Sequence, residues 1–113
     1  MPPDEAQLDE AAIAADARWL ATRFANETWL TVALHLGADD AGRLAALLRA
    51  ARSAGVPALA ATGALMHDAA RRRLADVLSA TRLRCTLAEA GLRLAPNADR
   101  HLQPRAELAR RYP

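Results

Sequence analysis

The feature that most constrains this chain is the identity of its apolar residues. Hydrophobic residues make up 52% of the 113, yet 30 are Ala and 18 are Leu, while Val and Ile together number four. Strands draw on β-branched and aromatic side chains, whereas Ala, Leu and Arg are among the best helix formers. The composition therefore predicts an all-α protein, a compact bundle of four to five helices. Ala-lined helices can approach closely, but each Ala buries little area, so few large side chains are left to fill a core. The length suits one compact domain and not two.

Periodicity places the elements. Pro2 and Pro3 form a short lead, and acidic residues from Asp4 suit the positive end of a helix dipole. Two apolar stripes, Leu8, Ala12, Ala15, Trp19 and Ile13, Ala17, Leu20, Phe24, carry the first helical pattern onward. It reaches Leu36, with or without a restart at Asn26, and Gly37 stops it. Asp39 or Asp40 caps a second helix running to about Ala54, with Leu44, Leu47, Leu48 and Ala51 as its buried face and Gly55 at its end. Pro57 opens a third helical segment carrying Leu59, Thr62, Leu65 and Met66. Asp68 recaps a long helix to Ala90, whose core face is Leu74, Val77, Leu78, Thr81, Cys85 and Ala88, with Leu83 and Leu87 on a different side. Residues 1–95 then form a single helical bundle domain. Residues 96–113, broken by Pro96, Asn97 and Pro104, read as an irregular basic C-terminal tail.

Composition also excludes. No run approaches the roughly 18 apolar residues of a membrane span. The acidic opening, Asp4, Glu5, Asp9, Glu10 and Asp16, is the opposite of a secretory signal. A single cysteine, Cys85, forms no internal disulfide, and with no signal it points to a reducing cytoplasm. All 15 basic residues are Arg, which reads as the codon bias of a GC-rich bacterial genome. The net charge of +2 conceals a gradient. Ten arginines after residue 70 face only Asp76, Glu89, Asp99 and Glu107, and the acids dominate the start.

Several constellations could carry chemistry. A pI near 9.5 and the run Arg71, Arg72, Arg73 invite nucleic acid. On one continuous helix, steps of eleven bring Arg82 over Arg71 and Arg84 over Arg73, while Asp68 and Asp76 can pair with Arg72 to give a solvated face instead. Val32, Ala33 and Leu36 before Gly37 resemble a helix-turn-helix. Arg43 then stands where that motif anchors its second helix, and Asp39 and Asp40 would repel phosphates at the end that enters the groove. Residues Ala90 to Pro96 are similar to the opening of Fur-type metalloregulators, without the winged helix or metal ligands of that family. Leu36, Gly37, Ala38 and the stretch from Arg43 to Gly55 resemble the later helices of histidine-phosphotransfer domains. Asn26 and Glu27 stand where that resemblance implies the phosphorylated histidine. His35, His67 and His101 lack the converging ligands of a metal site, Cys85 reads as a small core residue, and no nucleophile elbow, phosphate loop or carboxylate pair is present. No catalytic residue, cofactor or metal is expected.

Trp19, Phe24 and Trp29 crowd into eleven residues of an Ala-rich chain. With more apolar faces than a short bundle buries, this points to a small cytoplasmic protein-protein interaction module: an adaptor, chaperone or regulatory partner without catalytic activity. Its partner would be a protein or a second copy, met through Trp19, Trp29, Leu83 and Leu87. The alternative is a nucleic-acid-binding transcriptional regulator using Arg71, Arg72, Arg73, Arg82 and Arg84. A third reading is a phosphorelay-like or metal-binding bundle through His35 or His67.

Overall fold

The computed structural model describes residues 8–112. The expected lead at Pro2 and Pro3 and the helix start at Asp4 lie outside them. Packing divides the described chain into two units, Leu8–Ala61 with Tyr112 and Thr62–Arg111, here the N-terminal and C-terminal units. The fold is dominated by helices, five α-helices among the described residues, but it is not all-α.

In the N-terminal unit α1 spans Glu10–Arg23, β1 Leu30–Val32, α2 Asp40–Ala54 and β2 Ala58–Ala60. Asp9 starts α1 by accepting the Ala12 amide at 2.9 Å, an N-cap that satisfies one of the orphan donors of the first turn. The helix ends at Arg23 rather than Leu36. Immediately after it come Thr28, Trp29, Thr31 and Val32, the densest β-branched and aromatic run in the chain, and there the backbone extends into β1. β2 pairs with β1 in parallel, Leu30 opposite Ala58 and Val32 opposite Ala60. Parallel strands need a long crossover, and α2 supplies it. Neither the third helical segment after Pro57 nor a helix before Gly37 forms.

α2 runs where its sequence places it. Gly55 adopts φ +70° beyond its last turn, where its amide donates to Arg52 while Val56 donates to Ala51. This is a Schellman ending, and Val56 packs on Ala51 to complete it. Close helix approach works as the alanines predict, because Ala17 of α1 meets Ala51 of α2 directly. A second cluster joins Val32 and Leu34 to Leu47, with Leu8, Ile13, Leu44 and Tyr112 around it, and the Tyr112 hydroxyl accepts the Leu34 amide at 2.8 Å. Arg49 of α2 forks onto Glu10 of α1, and that hydrogen bond holds the Glu10 carboxyl below its ordinary range. The pair therefore helps the fold above the carboxylate range and is lost as acid titrates Glu10.

The C-terminal unit holds a 3₁₀ turn at Ala69–Arg71, α3 Arg72–Leu83, α4 Leu87–Ala90, a second 3₁₀ turn at Gly91–Arg93, and α5 Arg105–Arg111. The single long helix expected from Asp68 to Ala90 is divided at Arg84. Thr86 and Glu89 form a reciprocal capping box that restarts the chain, Thr86 donating its amide to Glu89 at 2.8 Å. The break closes as another Schellman ending, Arg84 donating to Thr81 and Cys85 to Ala80, with Arg84 at φ +55° where glycine normally stands. Arg84→Gly is therefore expected to stabilise the protein by roughly 0.5–1 kcal/mol, since the left-handed strain of the Cβ outweighs the entropy glycine adds to the unfolded chain. A higher urea midpoint at unchanged slope checks this.

Residues after Pro96 are more ordered than a tail. Leu65 and Leu102 exchange backbone hydrogen bonds with Arg100 and Met66, forming a parallel bridge between Met66 and His101. Asp99, 8% exposed, accepts both guanidinium nitrogens of Arg111, at 2.5 and 3.0 Å, and so ties α5 back to the preceding loop. No helix among the described residues is long and apolar enough to cross a membrane.

Candidate functional site

The most unusual surface belongs to α3. Leu74, Val77 and Leu78 recur at the spacing that makes one helical stripe, which sequence reasoning assigns to the core. In the structure they are 53%, 46% and 62% exposed. The opposite face is turned inward: Ala80 is buried, and Arg72, Asp76 and Ser79 are half-buried. Arg72 donates to the Ala95 carbonyl at 3.0 Å and its Nε lies 3.6 Å from Asp76. The helix thus packs its polar side and presents its apolar side to solvent, the reverse of an ordinary surface helix. Between the stripe and the chain at Leu65 and Met66 runs a groove of about 300 Å³, lined also by Leu74, Ala75 and Leu78, with His67 and Arg71 as its polar members.

The five arginines chosen from sequence do not form one row. Arg72 is engaged within the fold, and Asp68, its other expected partner, instead caps the Ala70 amide at 2.7 Å. Arg71 sits in the 3₁₀ turn before α3 and Arg84 in the left-handed residue after it, so the eleven-residue alignment has no continuous helix to act through. Arg73 and Arg82 both lie within α3, nine positions apart, which sets them about 180° from each other on either flank of the leucine stripe. Arg71, Arg73, Arg82 and Arg84 are all exposed.

The four residues expected to bind a partner all face solvent, Trp19 at 58%, Trp29 at 52%, Leu83 at 39% and Leu87 at 47%. The two tryptophans belong to the N-terminal unit and the two leucines to the C-terminal unit. Arg23 stacks over Trp19, 5.2 Å from the ring centroid, and Trp29 lines a groove of about 250 Å³ with Ala21, Asn26, Thr28, Val56 and Pro57. Neither tryptophan fills the core. Small alanines on the interlocking helix faces leave no cavity wide enough for an indole.

Among the described residues no three His, Cys, Asp or Glu side chains come together in a way that could hold a metal ion. Asn26 and Glu27, where the phosphotransfer resemblance implies its histidine, lie in the non-helical link between α1 and β1, and His35 follows a strand. The helix-turn-helix fails because β1 stands where its first helix should be. His67 is exposed, and His101 donates from Nδ1 to the Ala98 carbonyl at 2.8 Å. Cys85 lies just past the end of α3 with the Arg93 guanidinium 3.4 Å from its sulfur.

No family model matches this chain, and no solved structure does. Curated relatives do match along nearly its whole length. The chain is 62% identical over 113 residues to an error-prone DNA polymerase of Aromatoleum aromaticum, all of this chain but 11% of that protein. It is 50% identical over 105 residues, 93% of this chain, to the error-prone DNA polymerase of Pseudomonas savastanoi pv. phaseolicola and to that of an Azoarcus species, covering 10% of each. The chain spans about a tenth of the length of the curated relatives it matches. These relatives bear the name of an enzyme, and the reading as a non-catalytic adaptor, chaperone or regulatory partner does not stand. The transcriptional-regulator and phosphorelay alternatives fall with it. No residue pattern in this chain signals a polymerase; only the similarity along its whole length does.

Proposed function

We propose that this chain is a segment of an error-prone DNA polymerase, folding as part of that larger enzyme rather than acting as a free-standing module. The identity of 62% across all 113 residues carries the reading, because it leaves no part of the chain outside the matched segment. The open α3 face supports it, since an apolar stripe facing water is what a piece of a larger packed protein presents when the remainder is absent. Charge supports it too. Thr62–Arg111 holds ten arginines against five acids, a net of +5, which suits an enzyme whose template and product are polyanions.

Exchanging the matched segment of the Aromatoleum polymerase for this chain tests the proposal. The exchanged polymerase is expected to extend a DNA primer, whereas an unrelated helical sequence of equal length in the same place abolishes extension. A folded exchange protein without primer extension would overturn the reading.

A further inference from the structure

The outward face of α3 calls for a cover, and its chemistry specifies one. Leu74 and Leu78 line the groove with Leu65, and Val77 extends the same stripe away from it, so the surface can take an apolar side chain of helical or extended origin. Both flanks are positive. Arg82 borders one side and Arg73 the other, with Arg71 at the groove and Arg84 beyond the last turn. An occupant must therefore bring apolar residues to the middle and carboxylates to the edges. A second copy docked stripe to stripe would bring arginines against arginines on both flanks, a juxtaposition that opposes association. Nucleic acid would satisfy the arginines but would leave the leucines between them wet or pressed against phosphates.

Resting on the polymerase reading, we infer that the stripe of Leu74, Val77 and Leu78 is a docking surface for an apolar, carboxylate-flanked stretch of the polymerase polypeptide outside the matched tenth. The relatives supply the occupant's source, since nine tenths of their length lies beyond the part this chain represents. The inward polar face of α3 has the complementary explanation. Arg72 donates to the Ala95 carbonyl and lies in ion-pair range of Asp76, so the helix is held in its inverted orientation by its own unit and the leucines stay available.

A labelling experiment decides it. Leu78→Cys is placed in this chain alone and in the Aromatoleum polymerase carrying the chain, with Cys85 replaced by Ser in both, and thiol alkylation is followed by mass spectrometry. Residue 78 is half or more exposed in this chain, so the substitution leaves folding intact. The expected result is labelling at least about tenfold slower in the exchanged polymerase than in the isolated chain, with no DNA present. Equal rates would overturn the inference. So would protection that arises only when primer-template DNA is added, which assigns the surface to nucleic acid, or protection in the isolated chain that rises with its concentration, which assigns it to a second copy. Shielding in an exchanged polymerase that does not extend primers supports the docking surface while the polymerase reading fails. Primer extension with equal labelling does the reverse.

Discussion

Asp99→Ala is expected to lower the stability of the C-terminal unit by about 3 kcal/mol. Asp99 is 8% exposed, and its carboxylate receives Arg111 through both guanidinium nitrogens while Gln103 donates to it at 3.0 Å. Removing the carboxylate takes from the Arg111 guanidinium the two-pronged ion pair that offsets its desolvation, and much of that cost then appears as lost stability. Arg111→Ala should cost nearly as much for the mirror reason. The double variant should then lose clearly less than the two single losses added together, because the second removal has no pair left to break. Urea denaturation of the four proteins checks this. A loss below about 1 kcal/mol for Asp99→Ala would mean that water screens the pair as it would on an open surface.

Leu47→Ala is expected to cost about 3 kcal/mol in the N-terminal unit. Leu47 is 7% exposed on α2 and packs against Val32 and Leu34, so it is the side chain that fixes the crossover helix onto the strand before it. Deleting its three outer carbons opens a cavity between elements that are held in place elsewhere by their own hydrogen bonds and cannot collapse to fill it. Leu48, its half-buried neighbour on the same helix, supplies the control: Leu48→Ala removes the same atoms from a wetter place and should cost well under half as much. Comparable losses at both positions would show that helix propensity, not burial, sets the cost.

Where local signals were complete, sequence and structure agree. α2 begins beside Asp39 and Asp40, although Asp39 makes no side-chain capping hydrogen bond there, and it ends at Gly55, because a left-handed glycine acts within a turn of the residues it serves. The Thr86 and Glu89 capping box is also a local signal, and it divides the long helix that apolar periodicity alone predicts. β1 was legible in principle in Thr28, Trp29, Thr31 and Val32, a run that whole-chain composition averages away. β2 was not. Ala58, Leu59 and Ala60 have no strand preference, and they are extended because β1 offers them unpaired backbone groups. The orientation of α3 was equally hidden. Periodicity finds an apolar stripe but says nothing about which side meets the protein.

The candidate site follows the same division. That α3 carries leucines at helical spacing among arginines could be read directly, and so could the positive charge of the chain's second half. That the leucines face outward depends on Arg72 finding Asp76 and the Ala95 carbonyl, the latter a partner 23 residues away that no window of sequence reveals. The link to polymerases was legible in no motif of this chain.

By itself, then, the Ala-rich and Leu-rich sequence determined a helix-dominated protein with close helix approach, because propensity and side-chain size act residue by residue and need no partner. Tertiary structure alone decided the parallel strand pair, the anchoring of α5 on Asp99 and the outward turn of the α3 stripe. Each depends on groups far apart in sequence, and their hydrogen bonds and ion pairs form only once the intervening chain has brought them together.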